Sequence, residues 1–393
     1  MRRSWKARFL LVELRVLSVM AMVLLAGACA GQRVPASAQV AAPSEMPSFA
    51  PLVLKVLPAV VSLSAPIGPG SSGADERPRD AEPDAPDPGS PTLEELLRRF
   101  SEQLARQPDV TEVAVGSGFI IDPEGDIVTD DHIVADAREI SVTLQDGIEY
   151  PAKVVGRDPL TDLALLKIDV GHPLPYVEWG DSDAVQVGDW VLAIGNPFHL
   201  GGTISPGVLS ARNRDIQIGS YDDFLQIDAS INRGNSGGPA FDLHGHVIGI
   251  ITAIYTPSGG SVGISFAIPS RLARPVIEQL RLHGKVTRGW LGLKVRQLTP
   301  EVAQSLGLRQ PIGVLVAGVT AGGAAEKAGF QRGDVILSVN GHAMAKTRDL
   351  QRLVAALRPG ESASVTLWRH GREMTLRPVV EEMPSLNSLT TGG

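Results

Sequence analysis

Three side chains that lie far apart along the chain have the types that nucleophilic catalysis requires: His132, Asp162 and Ser236. A serine hydroxyl is a weak nucleophile unless a base takes its proton and fixed donors receive the charge that develops on the substrate oxygen. A histidine is the natural base near neutral pH, and a carboxylate can hold its tautomer and stabilise its charged form. The residue types therefore indicate a hydrolytic site built from three separate segments.

The serine lies in a glycine-rich turn, RGNSGGP at 233–239. A glycine at position 234 permits a tight turn in which the backbone N–H groups of Gly234 and Ser236 converge on one point. Two such N–H groups could receive the negative charge that develops on a substrate oxygen, and we assign the candidate oxyanion hole to the segment Gly234, Asn235 and Ser236. Taken alone, the motif is also compatible with a glycine-rich turn that carries no chemistry.

The histidine follows a strand–turn–strand pattern, GSGFII at 116–121 and TDDHIV at 129–134. Two acidic residues, Asp130 and Asp131, come directly before His132, and we expect both to face solvent. If either approached the imidazole, the pKa of His132 would rise and activity would shift to higher pH. His244 and His246 flank a hairpin turn but lack further ligands, so the sequence predicts no metal site.

The aspartate stands at the head of a continuous apolar run, LALLKI at 163–168. A carboxylate at the start of a buried strand costs free energy unless it is paired, and an imidazole N–H is a natural partner. A simple cap of the strand start through Asp162 or Asp158 is the alternative interpretation.

The elements that must position these residues are mainly short strands. The chain has 393 residues, enough for roughly two to three domains, and 42 glycines and 29 prolines favour turns over long helices. Short apolar runs separated by turn signals extend over 113–270, a helix is predicted at 271–284, and a second body at 288–380 mixes strands with one helix. The net charge of −7 argues against a nucleic-acid-binding protein.

The N-terminal segment 1–38 has the pattern of an export signal, a basic head followed by the uncharged run 16–30 and a small-residue cleavage site at 36–38. The only cysteine, Cys29, excludes an intrachain disulfide, and it follows Ala26-Gly27-Ala28 as in a bacterial lipoprotein signal. Soluble export, a lipid anchor at Cys29 and an uncleaved membrane anchor remain open. All three place the rest of the chain outside the cytoplasm.

A long insertion follows the first apolar stretch. Residues 68–91 are rich in Pro, Asp, Ala, Gly and Ser, which predicts a mobile loop. A capping box at Thr92 then opens an amphipathic helix over 92–104, which packs either on its own domain or on a neighbouring subunit.

The order histidine, aspartate, serine on short strands resembles the chymotrypsin-like serine proteases, and more closely the HtrA/Deg family. The segments that carry the resemblance are 116–134, 158–168, 193–197, 228–239 and 263–270. In the second body, Arg288 to Leu293 (RGWLGL) and the segments 313–319, 323–330 and 333–341 resemble a PDZ domain of the kind appended to these proteases.

This resemblance implies a mainly β fold. A protease domain of two six-stranded β-barrels would span 48–284, an α+β PDZ domain 288–380, and a flexible tail 381–393. Ser236 would be the nucleophile, His132 the general base and Asp162 the orienting carboxylate. The pocket that selects small to medium aliphatic side chains would be lined by Ile231, Ile254 and Tyr255.

The implied function is an ATP-independent serine endopeptidase that degrades unfolded or damaged exported proteins in the periplasm during stress, without a cofactor. The PDZ domain would bind peptide C-termini at Trp290, Leu291, Gly292 and Leu293 by strand addition. A homotrimer or a higher oligomer is expected by the same resemblance. The alternative from another class is a non-hydrolytic chaperone or peptide-binding scaffold.

Overall fold

The structure is a computed structural model, and it describes residues 48–66, 113–196, 201–216, 218–219, 221–232, 234–256 and 261–384. The compact unit that carries the chemistry begins at Ala50. The predictions for the export signal at 1–38, the insertion at 68–91 and the helix at 92–104 lie outside the described residues. None of the helices within the described ranges is long and apolar enough to cross a membrane.

The first barrel follows a short helix, α1 (Ala50–Val56), and a 3-10 turn at Leu57–Ala59. Its strands are β1 (Val60–Pro66), β2 (Val113–Ile120), β3 (Asp126–Thr129), β4 (Ser141–Thr143), β5 (Glu149–Pro151), β6 (Lys153–Asp158) and β7 (Leu163–Lys167), with helix α2 (Asp131–Val134) between β3 and β4. They are ordered β5-β4-β1-β2-β3-β7-β6. Only Ala152 separates β5 from β6, and its N–H donates to the carbonyl of Ile140 at 2.8 Å. The two segments therefore act as one bent strand that closes a six-stranded barrel.

The second barrel closes directly. Its strands are β8 (Glu178–Trp179), β9 (Trp190–Gly195), β10 (Thr203–Arg214), β11 (Phe224–Ile227), β12 (Pro239–Phe241), β13 (His246–Ile254) and β14 (Ser265–Pro269). The ring runs β12-β9-β10-β11-β14-β13, and pairing of β12 with β13 completes it, while β8 adds in parallel to β13. Buried aliphatic residues such as Leu209, Ile227 and Ile251 fill the interior. The predicted pair of six-stranded barrels is confirmed.

A helix, α3 (Ser270–His283), follows the second barrel. Its buried face is formed by Ala273, Val276, Ile277 and Leu280. The helix ends because Gly284 adopts a left-handed conformation, φ 68°, and its N–H donates to the Leu280 carbonyl at 2.8 Å.

The second body is the predicted α+β domain. Its elements are β15 (Gly289–Trp290), β16 (Leu293–Gln297), α4 (Pro300–Ser305), β17 (Val314–Val319), α5 (Ala324–Lys327), β18 (Val335–Val339), β19 (His342–Ala343), α6 (Thr347–Ala356), β20 (Val365–Arg369), β21 (Arg372–Leu376) and β22 (Glu381–Glu382). The main sheet is ordered β16-β17-β18-β20-β21, which leaves β16 at an edge beside α6. One boundary was wrong: Glu381 and Glu382, expected in a flexible tail, pair with Trp290 and Gly289.

Candidate active site

The imidazole of His132 lies against the carboxylate of Asp162. Nδ1 of His132 is 2.8 Å from Oδ2 of Asp162 and 3.1 Å from Oδ1. His132 belongs to α2, and Asp162 belongs to the turn that leads into β7, so both come from the first barrel. This contact leaves Nε2 as the ring nitrogen that can exchange a proton with a substrate or a nucleophile.

Three further hydrogen bonds hold Asp162. Its Oδ1 accepts the backbone N–H of His132 at 2.9 Å, its Oδ2 accepts the hydroxyl of Thr252 at 2.7 Å, and its carbonyl accepts the N–H of Asp131 at 3.2 Å. The residue adopts a left-handed conformation, φ 55°, which is uncommon outside glycine. Burial opposes the negative charge, but the hydrogen bonds from His132 and Thr252 and the charge of His132 outweigh it, so the pKa of Asp162 lies below its usual value.

Ser236 lies on the turn before β12, between two glycines with positive φ, Gly234 (93°) and Gly237 (82°). No described residue accepts a hydrogen bond from the backbone N–H of Gly234 or of Ser236, whereas the N–H of Asn235 donates to the Asn232 carbonyl at 3.1 Å. Of the three residues predicted for the oxyanion hole, two therefore offer an uncommitted N–H group. The N–H of Asn235 is engaged within the turn.

The hydroxyl of Ser236 faces the second barrel. Its hydrogen-bond acceptor among the described residues is the carbonyl of Thr252, at 3.5 Å, and it makes no hydrogen bond to His132. Thr252 thus contacts both ends of the predicted site, through its side chain to Asp162 and through its carbonyl to Ser236. Catalytic hydrogen bonds are often long in an enzyme without substrate, so the arrangement is compatible with proton transfer after a rotation of the serine side chain.

Ser117 fixes the turn that carries Ser236. Its Oγ donates to the Gly234 carbonyl at 2.6 Å and accepts the N–H of Asn196 at 2.8 Å, and its own N–H donates to the Ser236 carbonyl at 2.8 Å. Ser117 is fully buried on β2 of the first barrel. One side chain therefore ties the nucleophile segment of the second barrel to the barrel that carries His132.

Glycine at position 237 is required for the same close approach. A Cβ atom at this position would lie 2.2 Å from the Ser117 carbonyl oxygen and 2.3 Å from Oγ1 of Thr129. Its positive φ would also strain any other residue. The glycine next to the nucleophile thus allows the two barrels to meet at the active site.

The expectation that Asp130 and Asp131 face solvent is wrong. Asp130 is fully buried, and Asp131 is 5% exposed. Asp131 forms a salt bridge with Arg157, with Nε of the arginine 2.6 Å from Oδ1 of the aspartate. Asp130 lies 4.0 Å from Nδ1 of His132. Acidic side chains can be buried here because one is paired with an arginine and the other lies beside an imidazole.

These carboxylates change the basicity of His132. Burial acts to lower the pKa of the imidazole, but the hydrogen bond to Asp162 and the charges of Asp130, Asp162 and Asp131 outweigh it and raise the pKa to about 9. Burial, and then the charge of Asp162, raise the pKa of Asp130 well above its usual range. The histidine therefore keeps its proton to a higher pH than an isolated imidazole.

The residues predicted for the specificity pocket have different environments. Ile231 is 2% exposed and belongs to the core of the second barrel, against which Ile254 packs. The side chain of Tyr255 is 59% exposed, and its backbone N–H donates to the Ile264 carbonyl at 3.0 Å.

A cleft of about 360 Å³ opens beside His132. Its walls include Leu160, Tyr221, Phe224, Ile268 and Leu272 together with His132, Asp162 and Thr252. Asp131, Asp222 and Asp223 also line it, and Ser236 does not, so this cleft lies beside the base and its carboxylate partner and not beside the nucleophile.

A second cleft, of about 140 Å³, lies on the second body. Trp290, Leu291, Gly292 and Leu293 all line it, together with Leu350 and Val354 of α6, Met383, and Tyr221 from the protease domain. Among the described residues, the N–H groups of Leu291 and Gly292 donate to no backbone carbonyl. The predicted carboxylate loop is therefore placed between an edge strand and a helix, with free donors.

A buried ion pair joins the two bodies. Nη1 of Arg288 donates to Oδ1 of Asp158 at 2.8 Å, and its Nη2 donates to the other carboxylate oxygen. The ring of Tyr221 lies under the guanidinium, 5.0 Å from its centre. A second contact joins α6 to the loop before β11, where Nη1 of Arg352 lies 2.6 Å from Oδ2 of Asp223.

One group of metal-ligating side chains comes together among the described residues. His132, Asp130 and Asp162 bring ligand-type atoms within 4.8 Å of one another. Two of the three are already engaged, because His132 and Asp162 hydrogen-bond to each other.

Sequence reasoning missed two positioning residues, Ser117 and Thr252. Thr252 stands out in hindsight as the only hydroxyl in the apolar strand HVIGIITAI, a signal that could have marked it. Ser117 lies in the motif GSGFII, but its role depends on the meeting of two barrels, which the motif does not reveal.

The comparisons with known proteins agree with this geometry. Residues 116–250 match the family model of the trypsin-like peptidase domain, and residues 289–378 match that of the PDZ domain. A probable periplasmic serine endoprotease, DegP-like, from Rhizobium meliloti (strain 1021) is 46% identical over 363 residues, which cover 86% of this chain and 71% of that protein. The protein of the same description from Brucella melitensis biotype 1 is 45% identical, with 87% and 70% coverage.

Solved structures of serine proteases also match this chain. The HtrA-type protease AlgW with a decapeptide is 39% identical, with a TM-score of 0.70, and the match covers 86% of this chain and 100% of that one. The serine endoprotease from Yersinia pestis is 32% identical, with a TM-score of 0.61 and coverage of 86% and 100%. The prediction of a serine endopeptidase with one PDZ domain is confirmed, and the chain belongs to the HtrA family of DegP-like serine endoproteases.

Proposed function

We propose that the chain is an ATP-independent endopeptidase for unfolded or damaged exported proteins, with His132, Asp162 and Ser236 as its catalytic triad. The observation that carries the assignment is the His132–Asp162 hydrogen bond of 2.8 Å, with Thr252 contacting both Asp162 and Ser236. These contacts support a shared role for three residues that the chain separates by up to 104 positions, the distance from 132 to 236.

In the first half of the reaction, Oγ of Ser236 attacks the carbonyl carbon of the substrate while its proton moves to Nε2 of His132. The carbonyl oxygen becomes an oxyanion, which the N–H groups of Gly234 and Ser236 stabilise. Asp162 stays ionised and holds the imidazolium through Nδ1, since its pKa is below the usual value. The imidazolium then gives its proton to the leaving amine, and the C–N bond breaks.

In the second half, a water molecule replaces the leaving peptide. Its proton moves to Nε2 of His132, its oxygen bonds to the acyl carbon, and the Ser236 ester breaks as the proton passes to Oγ. The free enzyme is restored with neutral His132. No step requires a nucleotide or a metal ion.

The PDZ cleft fits an extended peptide that pairs with the edge strand β16 and ends at the loop of Trp290 to Leu293. The free N–H groups of Leu291 and Gly292 can receive its terminal carboxylate. A labelled peptide with a free C-terminus is expected to bind about tenfold or more tightly than the same peptide amidated at its end. Equal affinity for the two peptides would contradict this mode of binding.

The remaining parts of the proposal rest on the family. The chain is exported to the periplasm, with a cleaved signal or an anchor at its N-terminus. Its protease domain spans 48–284 and its PDZ domain 288–380. It assembles as a trimer or a larger oligomer and acts in the stress response. The selectivity pocket is assigned to Ile231, Ile254 and Tyr255. Light scattering of the purified protein tests the assembly, and a monomer would contradict it.

Hydrolysis of casein by the purified protein and by Ser236→Ala tests the enzyme. The variant is expected to lose about 10⁴-fold or more of the activity. Ser230→Ala removes an exposed serine six residues earlier and is expected to keep full activity. Equal turnover by the native protein and Ser236→Ala would favour a chaperone or peptide-binding scaffold instead.

A further inference from the structure

Asp130 occupies an unusual position for an aspartate. It is the residue that precedes α2, where an aspartate ordinarily caps the helix by accepting a backbone N–H. Asp130 makes no such bond, and the first-turn N–H of His132 is instead accepted by Asp162. The Asp130 side chain is fully buried, and neither carboxyl oxygen has a hydrogen-bond partner among the described residues.

The two uncharged donors nearest Asp130, Thr252 and Gly237, favour its charged form, but burial outweighs them and both are engaged elsewhere. The hydroxyl of Thr252 is given to Asp162, and the N–H of Gly237 is given to the Ile251 carbonyl at 2.7 Å. A buried carboxylate without donors costs several kcal/mol, so it must either hold a proton or lie beside a positive charge.

The charged groups that face Asp130 are His132, Asp162 and, one residue away, Asp131. Asp131 is balanced by Arg157 of β6. A carboxyl oxygen of Asp130, a carboxyl oxygen of Asp162 and a ring nitrogen of His132 lie within 4.8 Å of one another. Two carboxyl groups therefore lie beside one imidazole. Thr252 and Gly237 of the second barrel also lie near Asp130, and both are uncharged.

We infer that Asp130 is a positioning residue of the protease, a second buried carboxyl group that shares one proton with His132 and so determines how much of the imidazole is free to act as a base. This inference rests on the function proposed above, and it names a group that the catalytic triad does not use.

When Asp130, His132 and Asp162 together carry a net charge of −1, the shared proton can occupy two positions. In one, the proton is on Nε2 of His132 and both carboxylates are charged, so the histidine cannot take the proton of Ser236. In the other, the proton is on an Asp130 oxygen and the imidazole is neutral and active. When the shared proton is lost, Asp130 and Asp162 are both negatively charged beside a neutral imidazole. Because two buried negative charges are costly, this proton is lost only at high pH, and the enzyme becomes fully active only there. The pKa of about 9 for His132 agrees with this.

The kinetic test compares kcat/KM from pH 5 to 10 for the native protein, Asp130→Asn and Asp136→Asn. Asparagine has the same shape without a charge, so the apparent pKa of the base is expected to fall by about 1 to 2 units. Asp136 is an exposed acid of the same segment, and its replacement should leave the profile unchanged. A profile for Asp130→Asn that coincides with the native one, or that falls equally at every pH, would overturn the proposal.

An NMR titration of the His132 ring in the Ser236→Ala protein gives a readout that needs no activity. The pKa of the imidazole is expected to be about 1 to 2 units higher in this protein than in the same protein with Asp130→Asn added, and equal pKa values in the two would overturn the proposal. Because this measurement does not depend on turnover, it separates failure of the Asp130 assignment from failure of the proposed protease mechanism.

Discussion

Asp130 and Asp158 are buried aspartates of the same barrel, but their partners differ completely. Asp158 is 4% exposed and receives two hydrogen bonds from Arg288, which is 8% exposed. Asp130 is fully buried, and its carboxyl oxygens have no hydrogen-bond partner in the part of the chain that the structure describes. A buried acid with a matched cation ties two parts of the chain together, whereas a buried acid without one remains available to titrate beside a catalytic base.

Asp158→Asn gives the largest expected effect. The change leaves the Arg288 guanidinium buried and uncompensated, so the free energy of unfolding should fall by about 3–5 kcal/mol. Chemical denaturation measures the loss, and Arg288→Met in the same chain should recover part of it because the unpaired cation is removed. A loss below about 1 kcal/mol would contradict the role of this pair.

Thr252→Val removes the hydroxyl that stabilises the charge of Asp162 while keeping the shape of the side chain. A hydrogen bond to a charged group contributes about 1.5–3 kcal/mol, so kcat/KM should fall by about 10- to 100-fold. Thr252→Ser keeps the hydroxyl and should retain most of the activity. Equal losses in both variants would indicate that packing, and not the hydrogen bond, matters at this position.

Ser117 and Ser62 extend the comparison to buried hydroxyl groups. They face each other in the pairing of β1 with β2, and both are fully buried, but among the described residues the hydroxyl of Ser62 has no hydrogen-bond partner, whereas that of Ser117 has two. Ser117→Ala should therefore destabilise the protein by about 1–3 kcal/mol and lower kcat, because the Gly234 carbonyl loses its donor. Ser62→Ala should leave both quantities unchanged or raise stability. Thermal unfolding measures the stability of the two variants, and casein hydrolysis measures their kcat. Equal changes in both variants would contradict the role of the Ser117 hydroxyl.

Asp130→Asn should give the smallest effect on stability, with the opposite sign to Asp158→Asn. The pKa of Asp130 in the folded protein lies above the unfolded value of about 3.9, so the folded state keeps a proton that the unfolded chain releases. The native protein therefore loses stability as pH rises from about 4, and the asparagine variant lacks this loss. Chemical denaturation at pH 4 and pH 8 measures the free energy of unfolding of both proteins. Relative to the native protein, the variant should be more stable at pH 8 than at pH 4. The same difference in free energy at both pH values would contradict this prediction.

Local signals in the sequence predicted the strands and marked Ser236, whereas the pair of barrels and the roles of His132 and Asp162 were implied by the resemblance to a known family. Short apolar runs between turns predict strands, and a glycine-rich turn marks Ser236. The burial of Asp130 could not be predicted, because two adjacent acids are typical of a solvent-exposed segment. The pairing of Asp158 with Arg288 joins residues 130 positions apart, so only the folded chain shows it.

The Asp158–Arg288 contact also bears on where the protease domain ends. The region that matches the PDZ family begins at residue 289, immediately after Arg288. By its contacts, too, Arg288 belongs with the protease domain, where it neutralises an acid four positions before Asp162. A protease fragment that ends at 287 would therefore expose the catalytic loop to an unbalanced charge, whereas one that ends a few residues later would keep it neutral. The cut that preserves this ion pair therefore lies after Arg288, where the match to the PDZ family begins, and not before it.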